Sequence, residues 1–135
     1  MSRYDTFQTT FKNQEALVSA LKEQFGDVEV NATPQTLMDW HGHPRPEKAE
    51  IIIRRVHVFS MSNDVGFARK KDGSFEAIIS DYDKGAGLNA EWMAKLTQSY
   101  SQKLLLPHLL RQGYNATVHK TQSNGDVHVT MVRMR

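Results

Sequence analysis

Two segments of the chain place apolar residues at helical spacing and polar residues at the positions between them. The first predicts a helix over Gln14 to Phe25, and Asn13 before it is a favourable N-cap residue. The second predicts a helix over Ala90 to Gln112, with Asn89 as its N-cap residue. Because proline lacks the N–H group that a helix interior needs, we expect Pro107 to kink or divide the second helix.

The other apolar residues alternate with polar ones or form short runs, which is typical of β-strands. Strands are predicted over residues 3–11, 27–31, 35–40, 49–59, 65–69, 74–79, 114–121 and 126–134. Asp72-Gly73 and Asn124-Gly125 are turn signals that predict two hairpins, the second with Thr121 opposite His128. Trp40 to Pro46 contains two prolines and a glycine, so we predict a surface loop there.

The order of these elements predicts the fold class. The strands follow one another in hairpins and do not alternate with helices, which favours an α+β fold. We expect two layers, a mainly antiparallel sheet with two helices packed on one face. The length of 135 residues fits a single domain that comprises residues 1–135.

Composition narrows the class of protein. Apolar residues make up 39% of the chain and charged residues 24%, as in an ordinary globular protein, which excludes collagen-like, coiled-coil and low-complexity chains. The sequence has no cysteine, which excludes disulfides and thiolate nucleophiles. No apolar segment resembles a secretory signal or approaches the roughly 20 residues of a membrane span. We expect a soluble cytoplasmic protein with no membrane partner.

Histidine and aspartate residues mark two candidate metal-binding segments. In an extended segment His41 and His43 point the same way and are able to share a metal ion, with Asp39 as a third ligand. Asp81 and Asp83 follow a strand end, and two such carboxylates bind a cation or act as acid and base. Together these segments suggest a metal-dependent hydrolase. Ordinary polar residues in a loop and a turn explain the same spacing.

Basic residues suggest a second kind of site. The candidates for binding a polyanion are Arg54, Arg55, Arg69, Lys70, Lys71 and Arg133. Arg54 and Arg55 fall within the predicted strand. If Arg54, Arg69 and Arg133 share the exposed face of the sheet, they form an anion patch with Phe59 or Phe67 for base stacking. The net charge of +2 is small for a nucleic-acid-binding protein. The alternative is that these charges protect strand edges from aggregation.

No motif of catalysis or of nucleotide binding is present. Gly85-Ala86-Gly87 fits neither the GxGxxG nor the GxxxxGK[ST] pattern, and no serine lies in a glycine-flanked nucleophile turn. We predict no cofactor, and the sequence favours a protein that is not an enzyme. Trp40, beside the loop with prolines and histidines, is suited to anchor a protein partner.

A series of short motifs resembles a known family. They are Ala49-Glu50-Ile51-Ile52-Ile53-Arg54-Arg55, Asp64-Val65-Gly66-Phe67, Asp72-Gly73-Ser74-Phe75-Glu76, Trp92-x3-Leu96-x-Gln98-x-Tyr100 and Gln112-Gly113-Tyr114. The chain is similar to the conserved hypothetical family of chloroplast reading frame thirty-five of algal plastids and its cyanobacterial and bacterial relatives. The resemblance covers most of the chain and is loosest over residues 28–48.

The resemblance implies a domain of unknown function with no catalytic residue to transfer. Genes of such relatives often neighbour genes for AAA-type ATPases, which implies a partner or adaptor role. We therefore expect a non-enzymatic protein-interaction module whose partner is an AAA-type ATPase, another protein or a second copy of the chain. A nucleic-acid or other polyanion-binding module and a metal-dependent hydrolase are the alternatives.

Overall fold

The computed structural model describes residues 3–120 and 127–133 of the chain. Its elements are β1 (Tyr4–Gln8), α1 (Gln14–Phe25), β2 (Glu29–Met38), β3 (Pro44–Ile53), a 3-10 turn (Arg55–His57), β4 (Val65–Arg69), β5 (Phe75–Ser80), α2 (Asp81–Gly85), α3 (Ala90–Arg111), β6 (Tyr114–Lys120) and β7 (Val127–Arg133). Five strands form an antiparallel sheet in the order β1-β5-β4-β3-β2. Strands β6 and β7 form a separate antiparallel pair. The predicted α+β class is therefore confirmed.

Local sequence signals set the starts of both long helices. The Asn13 side chain accepts a hydrogen bond of 2.9 Å from the N–H of Ala16, and helix α1 has its predicted bounds. The Asn89 side chain caps α3 in the same way. Helix α3 ends at Arg111, one residue before the prediction, and Pro107 lies inside it as part of one continuous helix.

Both long helices pack on the same face of the sheet and form the main core. Their buried side chains meet alternate residues of the central strands β3, β4 and β5, as the period of two in a strand requires. The largest fully buried members of this core are Phe11, Leu17, Leu21, Ile51, Ile53, Val65, Phe67, Phe75, Ile79 and Leu88. Burial on this scale stabilises the fold by about 1.5–3 kcal/mol for each large apolar side chain.

A smaller core lies on the opposite face of the sheet, where β2 and β3 bend back over the central strands. Leu37 of β2 and Ala49 of β3 are fully buried there, beside Gly66 of β4. A Cβ atom at Gly66 would lie 2.8 Å from the Cβ of Ala49, so only glycine allows this approach. The shifts in register between β2 and β3 accompany the bend.

Two of the predicted boundaries around β3 are wrong. Trp40 to Pro46 is not a loop throughout, because β3 begins at Pro44. Strand β4 pairs only with Ile51 to Ile53 of β3. Among the described residues, the first part of β3 therefore pairs with β2 alone, and a strand edge without a partner tolerates proline. The strand predicted to reach Phe59 ends at Ile53 and gives way to the 3-10 turn, which places Arg54 and Arg55 outside the sheet.

Two further expectations are corrected. Asp81 and Asp83 lie in helix α2, which begins after the N-cap residue Ser80, and do not form a turn. In the C-terminal hairpin His128 pairs with His119, so the predicted register with Thr121 opposite His128 is wrong. The predicted Asn124-Gly125 turn, from which that register was inferred, lies outside the described residues.

Candidate interaction surface

One buried carboxylate joins the end of β2 to the connection between β3 and β4. The side chain of Asp64 is 1% exposed and accepts hydrogen bonds of 2.8 Å from the backbone N–H groups of Met38 and Arg55. The backbone N–H of Asp64 in turn donates to the carbonyl of Met38 at 3.0 Å. Asp64 therefore holds both chain segments in place, and we call this set of contacts the Asp64 clamp.

Arg54 extends this clamp to the start of β2. Its guanidinium group makes contacts of 2.8 Å with Asp64 and with Glu29, and it also donates to the carbonyl of Thr36. The hydrogen bonds from Arg54 lower the pKa of Glu29. The Nε, Nη1 and Nη2 atoms of Arg54 all donate hydrogen bonds within the protein. Arg54 therefore has a structural role.

A second buried polar group lies beside the first. Asn63 accepts a hydrogen bond from the backbone N–H of Trp40 at 2.9 Å and donates to the hydroxyl of Ser80 at 2.9 Å. The Asp83 carboxylate accepts from that hydroxyl and from the backbone N–H of Asn63. Its other oxygen has no hydrogen-bond partner among the described residues, and burial raises the pKa of Asp83 above its ordinary 3.8.

The turn after β2 has its own buried cap. The side chain of Asp39 accepts hydrogen bonds from the backbone N–H groups of His41 and His43 at 3.0 and 2.9 Å. The bond from His43, with that from His41, lowers the pKa of Asp39. The ring of His41 lies 3.9 Å from the ring of Trp40 and 5.7 Å from that of His43, measured between centroids. The three rings therefore form a short exposed row.

These clamped segments present large apolar side chains to solvent. We call them the Trp40 surface, which consists of Met38, Trp40, Val56, Phe59 and Met61. Val56 is 67% exposed, Met61 51% and Trp40 43%. The backbone of Trp40 is bonded to Asn63, two residues after Met61, so the two segments meet at one end of the sheet. Large exposed apolar side chains that form a contiguous patch are typical of interaction sites.

The structure does not bring the predicted polyanion-binding residues together. Arg54 and Arg55 follow the end of β3 that pairs with Val65, whereas Arg69 lies at the other end of β4, about 14 Å along the strand. Lys70 and Lys71 belong to the turn after Arg69. Phe67, proposed for base stacking, is fully buried, and Phe59 is 38% exposed. Arg133 ends β7, where it pairs with Tyr114.

The predicted metal ligands lie in two different settings. His41 and His43 belong to the exposed turn beside Asp39, and the distance from His43 Nδ1 to Asp39 Oδ2 is 3.8 Å. Asp81 is exposed and forms ion pairs with Arg3 and Lys84, whereas Asp83 is buried. Residues two apart on a helix do not face each other, which explains why the two aspartates diverge. The described part of the chain holds no group of three or more metal-ligating side chains.

Sequence reasoning named Trp40 but missed the residues that hold it. Ser62, Asn63 and Asp64 are all at most 2% exposed, although such a polar triplet is typical of a solvated turn. Their burial depends on contacts with β2 and α2, which are distant in the sequence. The only local signal is the apolar-rich segment before them, Val56 to Met61, part of which the sequence predicts as strand.

Comparisons with known proteins give one match. A family described as a protein of unknown function, DUF1257, matches residues 20–130. The searches of curated proteins and of solved structures found no match. None of the helices in the described residues combines the length and the apolar character that crossing a membrane requires.

Proposed function

The chain belongs to the DUF1257 family of unknown function, and from its structure we propose a protein-interaction module without enzymatic activity. The observation that carries this proposal is the Trp40 surface. Its residues are exposed although the polar groups behind them are buried and hydrogen-bonded. A location in the cytoplasm belongs to the same proposal and is compatible with a cysteine-free sequence.

The composition and the rigidity of the Trp40 surface both favour binding of a protein. Tryptophan, phenylalanine and methionine are enriched at the centres of protein interfaces. The backbone of Trp40 is fixed by Asn63, and that of Met38 by Asp64, before any partner arrives. A surface that is ordered in advance loses less conformational entropy on binding, so more of the contact energy appears as affinity.

The resemblance to the plastid family supplies the first partner to test, an AAA-type ATPase, and a second copy of the chain is the other. The polyanion-binding and hydrolase hypotheses stay predictions. Binding of single-stranded nucleic acid at low salt would be the test of the first, since such binding weakens steeply with salt. Metal analysis of the purified protein would be the test of the second.

The proposal is tested by capturing partners with the tagged chain, identifying them by mass spectrometry and titrating each purified partner. We expect Trp40→Ser to weaken the binding about 30-fold, as for a central interface residue. Met61→Ser, at a position 51% exposed, should weaken it without affecting folding. The matched control is Leu110→Ser, because Leu110 is 55% exposed but lies on α3.

Two results would overturn the proposal. One is a chain that stays monomeric at high concentration and captures no partner in its native host extract. The other is a partner that binds the wild-type chain and Trp40→Ser with the same dissociation constant. Self-association that is lost in Trp40→Ser but kept in Leu110→Ser would support the proposal with a second copy as partner.

A further inference from the structure

Strand β1 forms one edge of the five-stranded sheet and leaves alternate backbone groups without a partner in the described structure. The N–H of Asp81 donates to the carbonyl of Arg3 at 2.8 Å, so these two residues form a hydrogen-bonded pair. In antiparallel strands such residues alternate with residues whose N–H and C=O groups point away from the neighbouring strand. The register of β1 with β5 therefore directs the backbone groups of Thr6 and Gln8 outwards.

A groove of about 450 Å³ runs along this edge. Its walls are Phe7 to Thr10 on one side and Ala90, Met93, Ala94 and Thr97 of α3 on the other. Ala90, Ala94 and Thr97 are exposed and share one face of the helix, because residues three and four apart are neighbours on a helix. Their small side chains allow a second helix to approach α3 closely.

The two edges of the sheet differ in how they are protected. Strand β2, at the other edge, contains Pro34 and shifts in register, and both features hinder pairing with a further strand. Strand β1 contains neither of them. Its one acidic side chain, Asp5, is neutralised by Lys84 at 2.8 Å. The β1 edge is therefore open to a further strand.

We propose that a second copy of the chain pairs with β1, edge to edge, about a two-fold axis at Phe7. Thr6 of each copy then lies opposite Gln8 of the other, and these pairs form about four main-chain hydrogen bonds. The same rotation places the exposed small residues of α3 against those of its copy. Because β1 has only five residues, the helix contact supplies area that the strand pair lacks. This contact shares no residue with the Trp40 surface and does not depend on the proposed function.

The distribution of charge favours a second copy as the occupant. Glu91 and Lys95 each follow directly after one of the small residues of α3 and lie one turn apart, with an N–O distance of 3.9 Å. The two-fold axis makes α3 antiparallel to its copy, which brings the negative turn of one helix towards the positive turn of the other. In the strand pair, Asp5 lies opposite Thr9 of the second copy, so the two aspartates do not meet. A surface that complements itself in this way is what a two-fold dimer requires.

The test is the mass of the full chain in solution, measured by sedimentation equilibrium over a series of concentrations. We expect a dimer, and we expect Ala94→Arg, which fills the groove, to raise its dissociation constant at least about 30-fold. The matched control Ser19→Arg makes the same addition at an exposed position of α1 outside this groove, and it should leave the dimer intact.

Thr6→Pro tests the strand pair directly. It removes an N–H that points away from β5, which proline at a sheet edge does without the loss of a bond to the neighbouring strand. We expect this variant to be monomeric and folded. If it does not fold, Ala94→Arg and its control decide the inference.

Each outcome decides the inference. A wild-type chain that stays monomeric at the highest concentration reached would overturn it, as would a dimer that Ala94→Arg leaves unchanged. A dimer that is lost in Trp40→Ser but kept in Ala94→Arg would overturn it in favour of the Trp40 surface as the contact between copies. Loss of the dimer in Ser19→Arg as well would show a general effect of added charge and would also overturn it.

Discussion

The hydroxyl group of Tyr100 joins helix α3 to the segment before α1. It accepts hydrogen bonds from the backbone N–H groups of Lys12 and Asn13 at 3.1 and 3.0 Å. Tyr100→Phe keeps the ring contact with Phe11 but leaves both N–H groups without this acceptor. We expect the free energy of unfolding to fall by about 1–3 kcal/mol in urea denaturation. The exposed Tyr82 provides the control, since Tyr82→Phe should change it by less than about 0.5 kcal/mol.

Asp83 makes stability depend on pH in an unusual direction. Burial raises its pKa in the folded protein, so above pH 3.8 the unfolded chain releases a proton that the folded chain retains. The contribution of Asp83 to the free energy of unfolding therefore falls as the pH rises from 3.8 to the folded pKa and then stays lowered. Asp83→Asn cannot release this proton. We expect the free energy of unfolding of the wild type to fall relative to that of Asp83→Asn between about pH 4 and about pH 7.

Urea denaturation of both proteins at the two pH values measures this difference. Asp81→Asn is the matched control, because Asp81 is exposed on the same short helix. It should keep most of the wild-type pH dependence. An identical pH dependence in wild type and Asp83→Asn would show that the Asp83 carboxyl does not retain its proton on folding.

At the scale of elements, the close approach of β2, β3 and β4 depends on Gly66. A methyl group there would lie 2.8 Å from the Cβ of Ala49 and 3.1 Å from both terminal carbons of Leu37. We expect Gly66→Ala to lower the free energy of unfolding by about 1–3 kcal/mol, the usual cost of overpacking.

Gly85 is the matched position for this test. It lies in α2, and a Cβ there would meet no described atom within 4 Å. Gly85→Ala should therefore be neutral or stabilise the protein by up to about 1 kcal/mol, because alanine favours a helix. Thermal unfolding of both variants is the measurement, and equal losses at the two positions would contradict the role of Gly66.

The elements that were predicted well are those whose signals are local. Helix α1 has its predicted bounds because Asn13 caps it and the apolar spacing continues to Phe25. The end of β3 was missed because it is set by a distant residue: the N–H of Arg55 donates to the Asp64 carboxylate. For the candidate site, Trp40 was identified from its loop, whereas the burial of Asn63 arises only when separate elements meet.

At the scale of the whole molecule, the Trp40 surface is separable from stability. Val56 and Met61 are more than half exposed, so their side chains contribute little to the core. We expect the double variant Val56→Ser with Met61→Ser to change the free energy of unfolding by less than about 1 kcal/mol. Binding to the captured partner should fall, because the variant removes apolar contact area.

Urea denaturation and titration of the partner, done on the same preparations, measure the two effects separately. A large loss of stability would show that Val56 and Met61 belong to the core of the folded chain. Unchanged partner binding would place the interface elsewhere on the molecule.

The Asp64 clamp unites parts of the chain that are made at different times. Its carboxylate reaches Met38, 26 residues earlier, and its carbonyl accepts from the Tyr4 hydroxyl, 60 residues earlier. During synthesis, Trp40 therefore emerges well before the residue that orders its surroundings. A chain whose synthesis has not reached Asp64 contains Trp40 without the hydrogen bonds that order its surroundings. A partner that requires this ordered conformation would bind only the completely synthesised and folded chain.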